Sequence, residues 1–126
     1  MEKLSLITLE SEFTIHRFNN NDPVPAKVYD SNFYWIGRTD EELSIVCDSK
    51  IILNSLESES NWSMLKVKGN LDFASVGILA NISNLLSEGG ISIIALSTYN
   101  TDYFMIKSFN IKIAQQKLKD AGYIIL

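Results

Sequence analysis

The second half of the chain carries an order of hydrophobic periodicities that few folds can accommodate. Strict alternation comes first, then an apolar repeat at three and four residues between Ile78 and Leu86, then two short apolar runs and a second helical repeat. Gly89, Gly90 and Gly122 stand where the two helices would end, since glycine readily takes the left-handed conformation past a helix terminus. The order β-α-β-β-α-β predicts an α+β unit of ferredoxin-like topology, an antiparallel sheet with its helices on one face. The predicted elements are a strand at 62–69, a helix capped by Ser75, strands at 91–97 and 102–107, a helix at 111–121 and a strand at 123–126.

The first half is similar to a reduced copy of the second. Shifting the chain by 59 residues brings Gly37–Ser44 under Leu96–Tyr103, and both segments consist of a strand, a threonine, a polar loop and an apolar strand. The same shift places residues 6–9 under 65–68. Where the second half has its first helix, the first half has the Asn- and Pro-rich loop 19–25. We therefore expect a degenerate duplication, and the alternative is a chance match between two short β-turn-β segments.

Domain boundaries and a mode of assembly follow from this duplication. The polar segment 54–61 is the predicted linker, which gives a reduced unit over residues 1–60 and a complete unit over 61–126. The missing helix would leave apolar side chains of the first sheet uncovered, with Phe33, Trp35 and Ile36 as the candidates. An uncovered sheet face favours pairing, so we expect a homodimer with two-fold symmetry. The predicted strands of the first half are 13–17, 33–36 and 43–47.

Composition and charge exclude several classes of protein. The chain has 126 residues, of which 46% are hydrophobic, and a net charge of −4, which argues against binding to a nucleic-acid backbone. The longest apolar run, residues 91–96, is far shorter than the roughly 20 residues of a membrane span. A single cysteine and the absence of a readable secretion signal fit a cytoplasmic protein without disulfides or membrane contact.

Motifs of enzymes, metal sites and cofactor sites are missing from the sequence. The phosphate-binding glycine loops and the zinc-protease helix motif do not occur, so we expect no cofactor and no metal. His16, the only histidine, lies in an alternating strand, and Cys47 follows two apolar residues; both are interpreted as structural. RNA-recognition modules and acylphosphatases share the element order, but their signature residues are absent. We expect a protein that is not an enzyme.

Three segments of the second half indicate a binding site. Gly77 lies in the first turn of the predicted helix, where free backbone N–H groups attract a carboxylate and a glycine permits close approach. The helix stop Glu88–Gly90 leads directly into a strand. The loop Ser97–Thr101 is rich in hydroxyl groups, and Asp102 follows it. A carboxylate-binding helix end beside an aspartate suits an amino acid; alternatively, Gly77 serves only packing and Asp102 only caps a turn.

These segments resemble an ACT domain, the small regulatory module that binds amino acids. The resemblance covers residues 62–126 and rests on Gly77–Ala80, Leu86–Ile93 and Ile93–Thr98. Aspartate kinases carry a similar run. The whole chain is similar to the small tandem-ACT bacterial relatives of the CASTOR arginine sensors, in which the motifs Arg38–Cys47, Leu71–Phe73 and Ile93–Tyr103 recur in this order.

The resemblance implies a binding module without catalytic activity, in which an amino acid lies between two ACT units. It also implies a homodimer, because the CASTOR sensors have four units and this chain has two. The alternative is an interaction or assembly protein that keeps the scaffold without a ligand. The implied ligand residues are Gly77, Ile78, Leu79, Ser97, Thr98, Asn100, Thr101 and Asp102 on one side and Leu43, Ser44 and Ile45 on the facing side.

Overall fold

The computed structural model of the protein describes residues 4–68 and 77–126, and this part of the chain folds into eight strands and two α-helices. The predicted α+β class is confirmed. Two compact units are present, one formed by residues 11–62 and the other by the described parts of residues 1–10 and 63–126. The elements are β1 (Ser5–Thr8), β2 (Phe13–Phe18), β3 (Trp35–Arg38), β4 (Leu43–Asp48), β5 (Glu57–Val67), α1 (Ile78–Glu88), β6 (Ile93–Ser97), β7 (Asp102–Lys107), α2 (Ile111–Asp120) and β8 (Ile124–Ile125).

The unit of residues 11–62 is an antiparallel sheet with the strand order β3-β4-β2-β5. The predicted loop 19–25 leads into a five-residue 3₁₀ helix, Ala26–Asp30, in place of a full α-helix. Val28 of this short helix is fully buried against the sheet. The core of the unit consists of Phe18, Val28, Leu43, Ile45 and Cys47.

The uncovered apolar face predicted for this unit does not occur at the expected residues. Phe33, Trp35 and Ile36 are each only partly exposed. Ile36 packs against the core, and the ring of Phe33 makes an edge-on contact with Phe13 at a centroid distance of 5.6 Å. The expectation is wrong for Ile36 because the 3₁₀ helix takes the place of the missing α-helix over that face of the sheet.

The predicted linker 54–61 is also corrected by the structure. Residues from Glu57 onwards belong to β5, which runs for eleven residues to Val67. The polar stretch pairs with β2, so that Glu57 lies opposite Arg17 and Glu59 opposite Ile15. Polarity misled the prediction because these side chains are exposed on a strand, where backbone pairing and not side-chain burial holds the chain.

The second unit has the strand order β6-β7-β5-β1-β8 with α1 and α2 packed together on its apolar core. The predicted sequence of elements over residues 62–126 is present in its described part, with β7 matching the predicted 102–107. An N-terminal strand is added: β1 pairs with β5 antiparallel and with β8 parallel, and Leu6 is fully buried in the core. The first residues therefore group with this unit, whereas the sequence analysis assigned residues 1–60 to the other.

Candidate functional site

The two hairpins identified by the 59-residue shift have the same geometry. In each, the strand pairing begins at the same position relative to the turn and continues in the same register. The corresponding residue pairs are Arg38 with Leu43 and Ser97 with Asp102 beside the turn, and Trp35 with Val46 and Ile94 with Met105 further along. The predicted correspondence between residues 37–44 and 96–103 thus has a structural counterpart at the level of hydrogen-bonded pairs.

Each hairpin closes through a threonine at its first loop position. The backbone N–H of Thr39 donates to the carbonyl of Glu42 at 2.9 Å, and that of Thr98 donates to the carbonyl of Thr101 at 2.8 Å. The two threonine Oγ1 atoms accept from backbone N–H groups inside their own loops, that of Glu42 at 3.1 Å and that of Thr101 at 3.3 Å. Local turn chemistry therefore fixes both loops in the same form.

The second hairpin loop is attached to the end of β5. Thr101 is only 4% exposed, and its hydroxyl donates to the carbonyl oxygen of Val67 at 2.9 Å. At the base of the loop, the hydroxyl of Ser97 donates to Oδ1 of Asp102 at 2.7 Å. One side of the loop is thereby fixed to the strand that leads towards α1, while Ser97 and the neighbouring Asn100 remain exposed.

The helix α1 begins directly after a glycine in the left-handed backbone conformation. Gly77 is the residue before the first helical residue, has a φ of 87° and makes no side-chain cap. Among the residues that the structure describes, none would lie within 4 Å of a Cβ at Gly77, and the positive φ is what favours glycine at this position. Ile78 packs against the core, and Leu79 is 41% exposed. The predicted cap Ser75 and the motif 71–73 lie outside the described residues.

The residues expected on the facing side of the ligand lie in the unit of residues 11–62. Leu43 and Ile45 are fully buried in the core of that unit, so their side chains are not available to a ligand. Ser44 is partly exposed and donates its hydroxyl to Oε1 of Glu42. Of these three predicted positions, only Ser44 presents a side chain on the other face of β4.

The loop between β2 and the 3₁₀ helix is tied to the first hairpin. The guanidinium of Arg38 donates to the carbonyl of Asn20, and the side-chain amide of Asn20 donates to the carbonyl of Asp40 at 3.0 Å. Asp22 accepts the backbone N–H of Asn19 at 3.1 Å and completes the turn. The first hairpin is therefore joined to its neighbouring loop by the protein's own side chains.

A shallow groove of about 430 Å³ on the unit of residues 11–62 was not foreseen from the sequence. Directly paired residues share a sheet face, which places Ile15 and Arg17 of β2 beside Glu57 and Glu59 of β5 and Ser44 of β4. Arg17 forms an ion pair with Glu57, donating from Nε at 3.0 Å. The sequence does contain a signal for this surface: acidic residues alternate with serines over residues 57–60, which is the pattern of a strand with one acidic face. The groove is lined by Ile15, His16, Arg17, Glu42, Ser44, Glu57, Ser58 and Glu59.

Burial shifts the pKa values of His16 and Cys47 in opposite directions. Burial lowers the pKa of His16, whose Nδ1 lies 2.9 Å from the hydroxyl of Ser55 and whose Nε2 has no hydrogen-bond partner among the described residues. Burial, together with the charge of Asp48, raises the pKa of the Cys47 thiol to about 11. A thiol that is protonated at neutral pH is a poor nucleophile.

Two further properties concern the described parts of the chain. Among residues 4–68 and 77–126, no three His, Cys, Asp or Glu side chains are grouped so that they could hold a metal ion. Within the same ranges, no helix is long and apolar enough to cross a membrane.

Comparison with known proteins decides the family. The family model of the ACT domain matches residues 57–120, which contain α1, both strands of the second hairpin and α2. The chain belongs to the ACT domain family. A second family model, which describes an N-terminal domain, matches residues 11–54 of this ACT protein. A search of the curated proteins gave no match.

Solved structures extend the similarity over the full length. A protein of Agobacterium tumefaciens is 30% identical and superimposes with a TM-score of 0.92. The aligned region includes 100% of this ACT protein and 94% of the Agobacterium chain. The ligand-free regulatory subunit of aspartate kinase from Thermus thermophilus is 9% identical and has a TM-score of 0.70. The aligned region includes 96% of this chain and 99% of that subunit. The aspartate kinase of Clostridium acetobutylicum, 12% identical, has a TM-score of 0.73 over 97% of this chain and 36% of its own. At these low identities the aspartate kinases share the fold.

Proposed function

We propose that the protein is a regulatory module that binds a free amino acid and has no catalytic activity of its own. The observation that carries the proposal is the attachment of the second hairpin loop to the end of β5 through Thr101 and Val67. This contact fixes the Ser97–Asp102 pair beside the strand that precedes α1 in the chain, and Gly77, the residue before α1, has no side chain that could cap the helix. A carboxylate fits the helix end, and an ammonium fits Asp102.

We further propose that the chain is a tandem of two ACT-like units, the first reduced, as in the small bacterial relatives of the CASTOR sensors. When the strands of each unit are numbered along the chain, residues 11–62 have the order 2-3-1-4, and residues 63–126 have the same order with β1 inserted before the last strand. The matching registers of the two hairpins support this proposal, because chance similarity would not reproduce both strand order and register. The proposed assembly is a homodimer.

The aspartate-kinase relatives support a regulatory role, since one of them is a regulatory subunit and another is an allosteric enzyme. The role of Leu43 and Ile45 in the proposed site is limited to their backbone, because their side chains are buried. An assembly protein without a ligand is the second candidate. The observation that favours it is the exposure of large apolar side chains outside the second hairpin loop, among them Phe109 and Ile113.

Thermal denaturation in the presence of each of the twenty amino acids tests the proposal. A ligand that binds only the folded state raises the free energy of unfolding by about 2.7 kcal/mol at one hundred times its Kd, which moves the melting temperature by several degrees. The matched controls are the N-acetyl and the amide derivatives of the stabilising amino acid, which lack the ammonium and the carboxylate. Both should lose the effect. A flat response to all twenty at millimolar concentration would contradict ligand binding and support the assembly role.

A further inference from the structure

The groove on the unit of residues 11–62 is lined by one aliphatic side chain and by an excess of acidic ones. Ile15 is the aliphatic residue, and Glu42, Glu57 and Glu59 outnumber the one basic lining residue, Arg17. Glu57 is highly exposed, with 71% of its side chain accessible although it pairs with Arg17. A partner that fills this groove must bring an apolar group together with positive charge.

Such a combination is present on the outer side of α2. Phe109, in the 3₁₀ turn Ser108–Asn110 that precedes α2, is 77% exposed, and Ile113, four residues later on α2, is 54% exposed. The exposed lysines Lys112 and Lys119 flank them on the same helix. The opposite side of α2 is buried in the core through Ala114 and Leu118, so the Phe109–Ile113 side is the one left to solvent.

Charge is distributed unevenly along the chain in a way that matches these two surfaces. Residues 11–62 contain nine acidic and four basic residues, a net charge of −5, whereas the remainder contains six acidic and seven basic residues, a net charge of +1. Among the orientations in which two copies can meet, charge therefore favours the one that places the acidic unit of one copy against the basic helix of the other.

We propose that α2 of one copy docks into the acidic groove of a second copy, with Phe109 and Ile113 directed at Ile15 and the lysines at the glutamates. The occupant is a second copy because the same chain carries both complementary surfaces. When the contact is made in both directions across a two-fold axis, it closes into a dimer and doubles its area. This association is independent of the amino-acid site at the second hairpin.

Charge reversal with mixing is the decisive experiment. One variant carries Lys112→Glu and Lys119→Glu, and the other carries Glu57→Lys and Glu59→Lys; each places like charges on both surfaces. We expect each variant alone to dimerise at least about tenfold more weakly than wild type at low salt, and an equimolar mixture to recover the heterodimer, since both contacts are then attractive again. Sedimentation velocity measures the masses, and circular dichroism verifies that each variant is folded.

Two matched controls separate the docking surfaces from a general effect of charge or hydrophobicity. Lys27→Glu with Lys50→Glu changes the net charge by the same amount as the lysine variant of α2. Both positions are exposed and lie outside the two docking surfaces. Ile52→Ser removes an apolar side chain that is 74% exposed and serves as the control for Phe109→Ser, which should weaken the dimer. Wild type that stays at the mass of a single chain, variants that dimerise like wild type, or a mixture that fails to recover would each overturn the proposal. None of these outcomes bears on the thermal response to amino acids.

Discussion

At the scale of single residues, His16 couples the stability of its unit to pH. The residue is 6% exposed, its Nδ1 is hydrogen-bonded to the hydroxyl of Ser55, and its Nε2 has no partner in the described part of the chain, so a second proton would be buried without an acceptor. The folded-state pKa lies below the unfolded value of 6.5, hence stability is retained above pH 6.5 and is lost as the pH falls towards the folded-state pKa.

We therefore expect the free energy of unfolding to decrease between pH 7.5 and pH 5.5 by more in wild type than in His16→Phe. Urea denaturation at the two pH values gives the difference. Because other groups titrate in both proteins, the comparison isolates the imidazole. Equal pH dependence in the two proteins would mean that His16 gains a proton without cost.

Asp102 is the residue on which the proposed site depends most. Asp102→Asn keeps an acceptor for the hydroxyl of Ser97 but removes the charge that would pair with an ammonium. Loss of one member of a charge-assisted pair costs about 2–5 kcal/mol of binding free energy. Titration calorimetry with the amino acid found in the thermal screen measures this loss. Asp120→Asn is the control, since Asp120 likewise accepts one side-chain hydrogen bond but lies at the end of α2. If Asp102→Asn binds as tightly as wild type, Asp102 is not in the site.

At the scale of the element, the start of α1 depends on the left-handed backbone of Gly77. We expect Gly77→Ala to destabilise the protein by about 1–2 kcal/mol, because a Cβ is disfavoured at positive φ even where space is free. Gly77→Asn should cost less, since asparagine tolerates this conformation. Gly37→Ala is the control: its Cβ also meets nothing, and its φ is not in the left-handed region. Chemical denaturation checks the order, and equal stability of Gly77→Ala and Gly37→Ala would contradict it.

Elements governed by local chemistry could be predicted from the sequence. The hairpin around residues 98–101 and the strand 102–107 follow from turn residues and alternation, and both are found as expected. The start of β5 was missed because residues 57–61 are polar, and a strand whose side chains face solvent has no hydrophobic signal. The groove was missed for a related reason: it forms from three strands whose pairing is set by distant parts of the chain.

At the scale of the whole molecule, β1 is the feature that sequence periodicity could not place. Four residues of strand pair with β5 on one side and β8 on the other, although most of the other unit separates β1 from β5 in the chain. The pairing is long-range, and no local pattern distinguishes it from a strand of the first unit. Residues 11–62 therefore interrupt a unit that begins at the N-terminus and resumes at residue 63.

This arrangement predicts that the second unit folds when the interruption is replaced by a tight turn. The backbone N–H of Leu9 donates to the carbonyl of Met64 at 2.9 Å, so Leu9 and Met64 can be joined through Asn-Gly, the sequence suited to a two-residue hairpin turn. We expect this shortened chain to unfold cooperatively in urea. A chain that begins at residue 61 should not, because it lacks the buried Leu6 and leaves β5 and β8 without the strand between them. Cooperative unfolding of the chain that begins at residue 61, with the same midpoint as the shortened chain, would show that β1 is dispensable and would restore the boundary near residue 60.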